Sequence, residues 1–324
     1  DEAQDMDGDK YELICTMMEK NEDMRVIAVG DDDQNIYQFR KSSPEYMERL
    51  MEEKQAKLYE LVDNYRSRPN LVDFCNQFVS RIAHRLKKAQ IQSVRKDNGI
   101  IKIFQYKDAN LSVPVVESLC SERLEGTKCV LTGTNYDAMQ ITGLLHQEGI
   151  PSKLIQSNDN FNLYNLLEVR YFIDLVSSPE KARVISDDSW NRAKEDLVAA
   201  FSSGTNLEVC INLLKDFEAA NPGTKYKSDL DVFIRESRYE DFYSDGKGSV
   251  LVSTIHKAKG REFDNVFLML DRSNFVSDED LRKIYVALTR AKNNLMIHCG
   301  GNCFGGIHAA NLEREWVDKS YMQP

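Results

Sequence analysis

Missing features bound this chain before any motif is read. No run of apolar residues approaches the roughly 18 needed to cross a bilayer as a helix, so a membrane-spanning helix is excluded. Cysteines stand at 15, 75, 120, 129, 210, 299 and 303, an odd count with no Cys-x-x-Cys pair. That argues against a zinc ribbon or a disulfide scaffold and sets the expectation of a reducing cytoplasm. The tightest group, His298, Cys299, Cys303 and His308, lacks the paired spacing of structural zinc and reads as buried thiols. Positive charge is not in excess either: 42 Lys and Arg against 52 Asp and Glu give a formal net charge of −10. The chain is therefore no polycation, although a local basic groove can still hold nucleic acid. Position 1 is Asp rather than Met and no signal peptide follows, so the chain reads as cut from something longer.

What remains is a globular composition. Hydrophobic residues make up 42% and charged residues 29%, too apolar for a disordered chain. A length of 324 residues allows two compact domains or one large α/β domain.

Helical and strand patterns alternate. Tyr11, Leu13, Ile14, Met17 and Met18 recur at helical spacing, and Arg25–Val29 reads as a short buried strand ending in Gly30-Asp31. Lys57–Val62 is a second strand candidate. Pro69 then opens a long helix with Leu71, Phe74, Phe78, Val79, Ile82 and Leu86 on one face. After Gly99 the spacing predicts strand 100–106, helix 112–124, strand 128–132, helix 135–148 and strand 152–156. Residues 162–240 carry helical periodicity and no convincing strand, as a helical insertion would. Strands 249–253 and 265–270, helix 279–291 and strand 294–299 restore the alternation. Such alternation implies a mostly parallel, doubly wound sheet with ligands beyond the carboxyl ends of its strands.

Four segments after Asp1-Glu2 carry the chemistry. Gly30–Arg40 (GDDDQNIYQFR) follows a predicted strand and offers the neutral amide of Gln34, with Tyr37 and Phe39 spaced to present rings on one side. Asn64-Tyr65-Arg66-Ser67, Thr254–Phe263 (TIHKAKGREF) and Tyr285–Ala291 (YVALTRA) complete the order. A carboxylate pair such as Asp1-Glu2 can hold Mg²⁺ and orient a water for phosphoryl transfer, yet alone it is commonplace on a protein surface. A further basic stretch, Arg66, Arg68, Arg81, Arg85, Lys87, Lys88, Arg95 and Lys96, reads as an exposed face more readily than as a DNA contact.

Taken in order, these motifs resemble those of the UvrD/Rep/PcrA family of superfamily 1 DNA helicases, from motif II to the end of motif VI. The resemblance implies ATP and Mg²⁺ as cofactors, with Asp1 and Glu2 as the metal-holding and water-activating acids. It implies that Gln34 senses the γ-phosphate and that Arg66 and Arg290 reach the nucleotide from the second motor domain. By the same resemblance Tyr65 stacks on adenine, Glu262 lies near the ribose, and Tyr37 and Phe39 stack on unpaired bases. Thr254, His256 and Lys257, with Lys259 adding charge, match contacts to the DNA backbone. The implied fold is α/β with RecA-like, doubly wound parallel sheets, one partial and one nearly complete. The expected division is 1–62 for the end of the first motor domain, 63–160 and 241–324 for the second, and 161–240 for the insertion. The implied activity is an ATP-dependent 3′→5′ helicase or translocase on single-stranded DNA and single/double-strand junctions, with a role in DNA repair. Its competitors are a motor subunit of a helicase–nuclease complex and a DNA-binding module that hydrolyses nothing.

Departures from the family pattern are as informative. No G-x-x-x-x-G-K-[ST] occurs among the 324 residues, so the phosphate-cradling loop and the rest of the first motor half are expected from a longer parent chain. Lys41-Ser42 stands where the family usually has Gly-Ala, Phe39 where Trp is frequent, and Arg261 where an apolar residue is usual.

Overall fold

The computed structural model describes residues 1–21, 23–107, 110–155, 163–177, 183–202, 206–237, 249–271, 275 and 277–318. It falls into two compact units, one formed by Asp1–Ile155 with Gly248–Pro324 and the other by Gln156–Lys247. The insertion bounds expected at 161 and 240 lie outside the described residues.

The first unit begins with helix α1 (Gly8–Lys20), which Asp7 caps by accepting the Lys10 amide at 2.9 Å. Helix α2 (Glu45–Lys54) follows, then the two-residue strand β1 (Asp63–Asn64) and helix α3 (Pro69–Val79). Strands β2 (Gln92–Ser93) and β3 (Ile100–Tyr106), helix α4 (Ser112–Ser121), strand β4 (Lys128–Thr132), helix α5 (Asn135–Gln147) and strand β5 (Ser152–Leu154) come next. The second unit holds helices α6 (Leu167–Ser177), α7 (Asp187–Ala200), α8 (Leu207–Ala220) and α9 (Lys227–Glu236). Within it, strands β6 (Val184–Ile185) and β7 (Lys225–Tyr226) pair antiparallel. The chain then adds β8 (Val250–Thr254), β9 (Phe263–Leu270), helix α10 (Asp278–Leu288), β10 (Ala291–Gly300) and β11 (Leu312–Val317) to the first unit.

Seven of these strands form one parallel sheet in the order β11-β3-β10-β9-β4-β8-β5. Side chains alternate between its faces. Ile101, Ile103, Cys129, Leu131, Leu268 and Ile297 join Phe74 and Phe78 of α3 and Ile284 and Leu288 of α10 in one core. Val130, Val252, Phe267, Met269 and Met296 join Val115 and Leu119 of α4 and Ile141 and Leu145 of α5 in another. Each fully buried Phe or Leu contributes about 1.5–3 kcal/mol through apolar surface removed from water. Both faces are covered, as an all-parallel sheet requires.

Local chemistry sets the ends of these elements. Ser277 and Asp280 form a reciprocal capping box ahead of α10, whose first turn is acidic, and Pro69 occupies the first turn of α3. Thr134 caps α5 by accepting the Asp137 amide, and Gly149 beyond that helix takes φ +71°. Gly99 permits a contact no other residue would, since a Cβ there would lie 1.7 Å from the carbonyl oxygen of Asn293.

Several expectations are corrected. Residues 25–29 and 57–62 form no strand, and Ile27, Leu58, Tyr59 and Leu61 are exposed rather than buried. The first segment donates and accepts little backbone bonding beyond Ala3 N–H to the Val29 carbonyl at 2.8 Å. A strand is stable only against another strand, and among the described residues of 1–62 none is present. Helix α3 stops at Val79, so Ile82 and Leu86 lie past its end. Strand β11 has no counterpart in the sequence pattern. Its Glu313, Arg314, Glu315 and Trp316 are all exposed, so no alternation marks it.

The second unit has its own core, with Trp190 packed between Phe172 and Phe217 at ring separations of 4.9 and 5.5 Å. The Trp190 indole N–H donates to Glu218 at 2.6 Å, so its one polar atom is satisfied.

Candidate nucleotide and nucleic-acid site

The opening acids sit on a small polar frame. Asp1 and Glu2 are exposed, and Glu2 takes φ +54° while donating its backbone N–H to Asp1 Oδ1 at 2.9 Å. Buried Gln4 ties these acids to the segment after Gly30. Its amide nitrogen donates to Glu2 Oε2 at 2.5 Å, its side-chain oxygen accepts the Asp31 N–H at 3.0 Å, and its carbonyl accepts Asn35 Nδ2 at 2.5 Å. Gly30 must be glycine for this contact, because a Cβ would lie 2.5 Å from Gln4 Oε1. Lys259, itself buried, bridges Asp5 Oδ2 at 2.5 Å and Glu2 Oε2 at 3.3 Å. Burial pushes the Asp5 carboxyl above its ordinary range, and the Lys259 ammonium opposes that shift.

Gln34 and Arg290 meet across the chain. Arg290, immediately before β10 and 2% exposed, donates from Nη2 to Gln34 Oε1 at 2.9 Å and to Thr289 Oγ1 at 3.0 Å. Its Nε and Nη1 donate to the carbonyls of Val286 and Arg261 at 2.9 and 3.1 Å. All four acceptors are neutral. Burial lowers this guanidinium's pKa to about 10, with the Arg66 charge acting in the same direction and Glu2 opposing it. Gln34 is oriented from its other side, donating to Asp31 Oδ2 at 2.7 Å, while Lys87 reaches Asp31 Oδ1 at 2.6 Å. The amide carbonyl therefore faces the arginine.

Arg66 pairs with Glu262, whose other oxygen accepts Lys292 at 2.8 Å. These two cations hold the Glu262 carboxyl below its usual range, Lys292 contributing most. Tyr65 beside them is 74% exposed, leaving its ring face open to a planar partner. The sequence assigned Arg66 and Glu262 to different parts of a nucleotide; here they touch each other.

The aromatic candidates gather elsewhere in the unit. Tyr37, Phe39 and His256 form a triad with ring centroids 5.9, 6.2 and 6.0 Å apart, and the Arg40 guanidinium lies 5.5 Å from the Tyr37 ring and 5.6 Å from the Phe39 ring. Tyr37 Oη donates to the His256 carbonyl at 3.3 Å, and the Lys259 ammonium lies 5.0 Å from the Tyr37 ring. Phe39 is 65% exposed. Burial lowers the His256 pKa, so its ring is mostly neutral near pH 7. Thr254 is buried at the carboxyl end of β8, its backbone oxygen accepting the amides of Lys257 and Ala258. Lys257 donates to Asn135 Oδ1 at 2.8 Å, bringing the start of α5 beside this loop. Residues 255–262 run from the carboxyl end of β8 to the amino end of β9. Thr254 and Glu262 therefore stand at opposite ends of the sheet, and Arg290 precedes β10, so the carboxyl-end rule places only part of the candidate set.

The basic stretch is divided: Arg66, Arg81, Lys88 and Lys96 are exposed, as an exposed face would be, while Arg68, Arg85, Lys87 and Arg95 are half-buried. Arg85 grips fully buried Asp33 through two bonds of 2.8 and 2.7 Å, and Lys87 reaches the same carboxylate at 3.4 Å. Arg81 donates to the carbonyls of Cys303 and Gly305, and Arg68 to Asn293. These charges are spent on intramolecular bonds. Sequence reasoning missed Gln4, Asp31, Lys87 and Lys292 as parts of the site, and gave Lys259 charge alone; only pairing across the fold reveals their roles.

For a divalent cation the donor sets are few. Asp31, Asp32 and Asp33 bring carboxylate oxygens within 4.8 Å of one another, but Lys87, Arg85 and the Leu86 amide already occupy them. Asp1 is a hard, exposed oxygen donor of the kind Mg²⁺ takes, and fits. Glu2 fits less well, having the Lys259 ammonium beside it. His298 and Cys299 alternate to opposite faces of β10 and share no site: His298 stacks on Phe104 at 4.7 Å, whereas Cys299 belongs to the α3 side.

Comparison with known proteins agrees with this frame. Residues 59–186 and 180–300 match the model of the UvrD-like helicase C-terminal domain, and residues 1–55 that of the UvrD/REP helicase N-terminal domain. The ATP-dependent DNA helicase Rep of Buchnera aphidicola (subsp. Acyrthosiphon pisum) is 21% identical, the match covering 91% of this chain and 61% of that protein. The Gabija protein GajB of Bacillus cereus is 23% identical over 92% of this chain and 62% of its own length. The ATP-dependent DNA helicase UvrD2 of Mycobacterium bovis is 23% identical, with 92% and 46% covered. The chain thus spans about half to three fifths of the relatives it matches. On the family models that cover it nearly from end to end, the chain belongs to the UvrD-like helicase family.

Proposed function

We propose that this chain is the C-terminal part of an ATP-dependent 3′→5′ DNA helicase or translocase, contributing the arginine side of a nucleotide cleft and part of a single-strand track. In this reading residues 1–62 end the first motor domain, 63–160 and 241–324 form the second, and 161–240 are an insertion. One observation carries the proposal: Arg290 is a buried cation whose four hydrogen bonds all end on neutral oxygens, beside Gln34. A buried charge without a counter-charge is costly, and an arriving phosphate would supply one.

The residues divide the work. Arg290 and Arg66 neutralise charge building on a transferring phosphoryl group, an effect worth about 10³–10⁵ in rate in related systems. Gln34 reads the phosphate and is held in register by Asp31. Glu2, positioned by Gln4 and Lys259, orients the attacking water. Asp1 would hold Mg²⁺, which when bound supplies neutralising charge on the phosphates. Tyr65 offers a face to the base, with Glu262 near the ribose. Tyr37, Phe39 and His256 stack on or abut unpaired bases, each stacked base contributing about 1–3 kcal/mol without sequence preference. Thr254 at the end of β8 and Lys257 in the loop after it contact the DNA backbone. The exposed Ile27, Leu58, Tyr59 and Leu61 support a first lobe completed by further strands of a longer protein.

The chain lacks a phosphate-binding loop, so on its own it should hydrolyse ATP negligibly yet bind single-stranded DNA with an affinity that falls as salt rises. Turnover near that of a full helicase from the purified chain, or single-strand binding indifferent to salt, would overturn this reading.

A further inference from the structure

Strand β10 ends in a tight turn that carries two thiols the proposed motor does not use. Cys299 is fully buried at the end of the strand and Cys303 is 6% exposed, with Gly300, Gly301 and Asn302 between them. Cys299 Sγ donates to the Gly301 carbonyl at 3.6 Å and Cys303 Sγ to the Gly300 carbonyl at 3.4 Å, so both sulfurs face the same three-residue loop. The two thiols are close enough for each to perturb the ionisation of the other. Gly301 takes φ +77° and Gly306 φ +81°, conformations that let the chain fold back on itself here.

Two arginines pin the turn from outside. Arg81 donates to the carbonyls of Cys303 and Gly305, both at 2.8 Å, and Arg314 to those of Phe304 and Ile307 at 3.1 and 2.6 Å. Phe304 packs on Phe74 and Phe78 of α3 with ring centroids 5.5 Å from each. A bond between the sulfurs would therefore fix a turn whose frame is already set.

We infer that Cys299 and Cys303 form an oxidative modification site, closing to an intramolecular disulfide in the presence of a peroxide and reopening with a dithiol. Cys303 is the attacking sulfur. The neighbouring Cys299 thiol and the Arg81 charge lower its pKa, while the neighbouring Cys303 and burial raise that of Cys299. The Cys303 thiolate attacks one oxygen of hydrogen peroxide; the O–O bond breaks, and hydroxide leaves and takes up the thiol proton as water. The sulfenic acid so formed is attacked by the Cys299 sulfur. An S–S bond forms, the S–O bond breaks, and the departing hydroxide takes the Cys299 proton as a second water. The sum is two thiols and one peroxide giving one disulfide and two waters.

Three other thiols supply the control. Cys75, Cys129 and Cys210 are equally buried, and burial drives all three above the ordinary thiol range, Cys75 and Cys210 to about 12. Cleavage after Lys292 and Arg314 leaves Cys299 and Cys303 in one tryptic peptide, residues 293–314. The native chain is exposed to peroxide, alkylated and digested. That peptide should become lighter by two hydrogen atoms and resist alkylation, at a rate about ten-fold above oxidation of Cys129 or Cys210. Dithiothreitol should reverse the change, Cys303→Ser and Cys299→Ser should each abolish it, and the oxidised chain should melt at a higher temperature. Exposed Cys120 going to completion while peptide 293–314 keeps two alkylatable thiols would overturn the inference. So would oxidation of Cys303 to the sulfinic acid without loss of the two hydrogens. Neither result depends on whether the chain moves on DNA.

Discussion

His298 is fully buried in the sheet, stacked on Phe104 and hydrogen-bonded through Nδ1 to Tyr106 Oη at 2.9 Å. Burial holds its pKa at about 3, against the ordinary 6.5. The unfolded chain therefore binds a proton that the folded chain refuses once pH drops below about 6.5. The stabilisation is complete above that pH, erodes by about 1.4 kcal/mol per pH unit down to about 3, and then levels off. Urea denaturation across this range should show that slope, and His298→Phe should flatten it. Lys41 gives a second case at this scale. It holds φ +64° at the position where the family usually has glycine, a conformation costly for any side chain. Lys41→Gly should raise stability by about 0.5–1 kcal/mol in denaturant titrations; a loss would show that the Lys41 side chain is contributing unseen support. Ser42, in place of the usual Ala, is explained directly, because its hydroxyl accepts Asn35 Nδ2 at 3.0 Å.

Among the elements, the segment 81–88 after α3 acts as a strap. Asp278 accepts the amides of Ala83 and His84 at 3.0 Å each, Arg282 donates to the His84 carbonyl, and Asp32 and Asp33 hold Leu86 and Arg85. Arg85→Ala would leave the Asp33 carboxylate buried with only Lys87, costing about 3 kcal/mol, whereas adding Asp33→Asn should recover part of that loss. Additive losses in that double-mutant cycle would contradict the coupling. This strap also shows where sequence reading stops. Strands buried on both faces and helices with one apolar face were legible, because hydrophobic period tracks burial, and so β3, β4, β8, β9, β10 and helices α4, α5 and α10 were readable within a few residues, the second unit only as helical, and α2 not at all. Residues 25–29 have the composition of a buried strand, but pairing is a property of neighbours and not of the segment. The motif residues were legible as a set; that Arg66 binds Glu262, or that Lys87 orients Gln34 through Asp31, depends on chain segments far apart in sequence.

At the scale of the whole molecule, the first unit pairs Arg66 with Glu262 and Glu2 with Lys259 but gives Arg290 only neutral acceptors. Arg290 lies within the electrostatic reach of Arg66 and Glu2, so the arginines from the later segments and an opening acid act on one another. If Arg290 is kept for a triphosphate, its removal must cost turnover rather than DNA binding. The most direct measurement is DNA-stimulated ATP hydrolysis by a longer polypeptide that joins this chain to a phosphate-binding loop, with and without Arg290→Ala. Turnover should fall by about 10³–10⁵ while single-strand affinity stays within a few-fold of the unsubstituted protein; undiminished turnover would contradict that role.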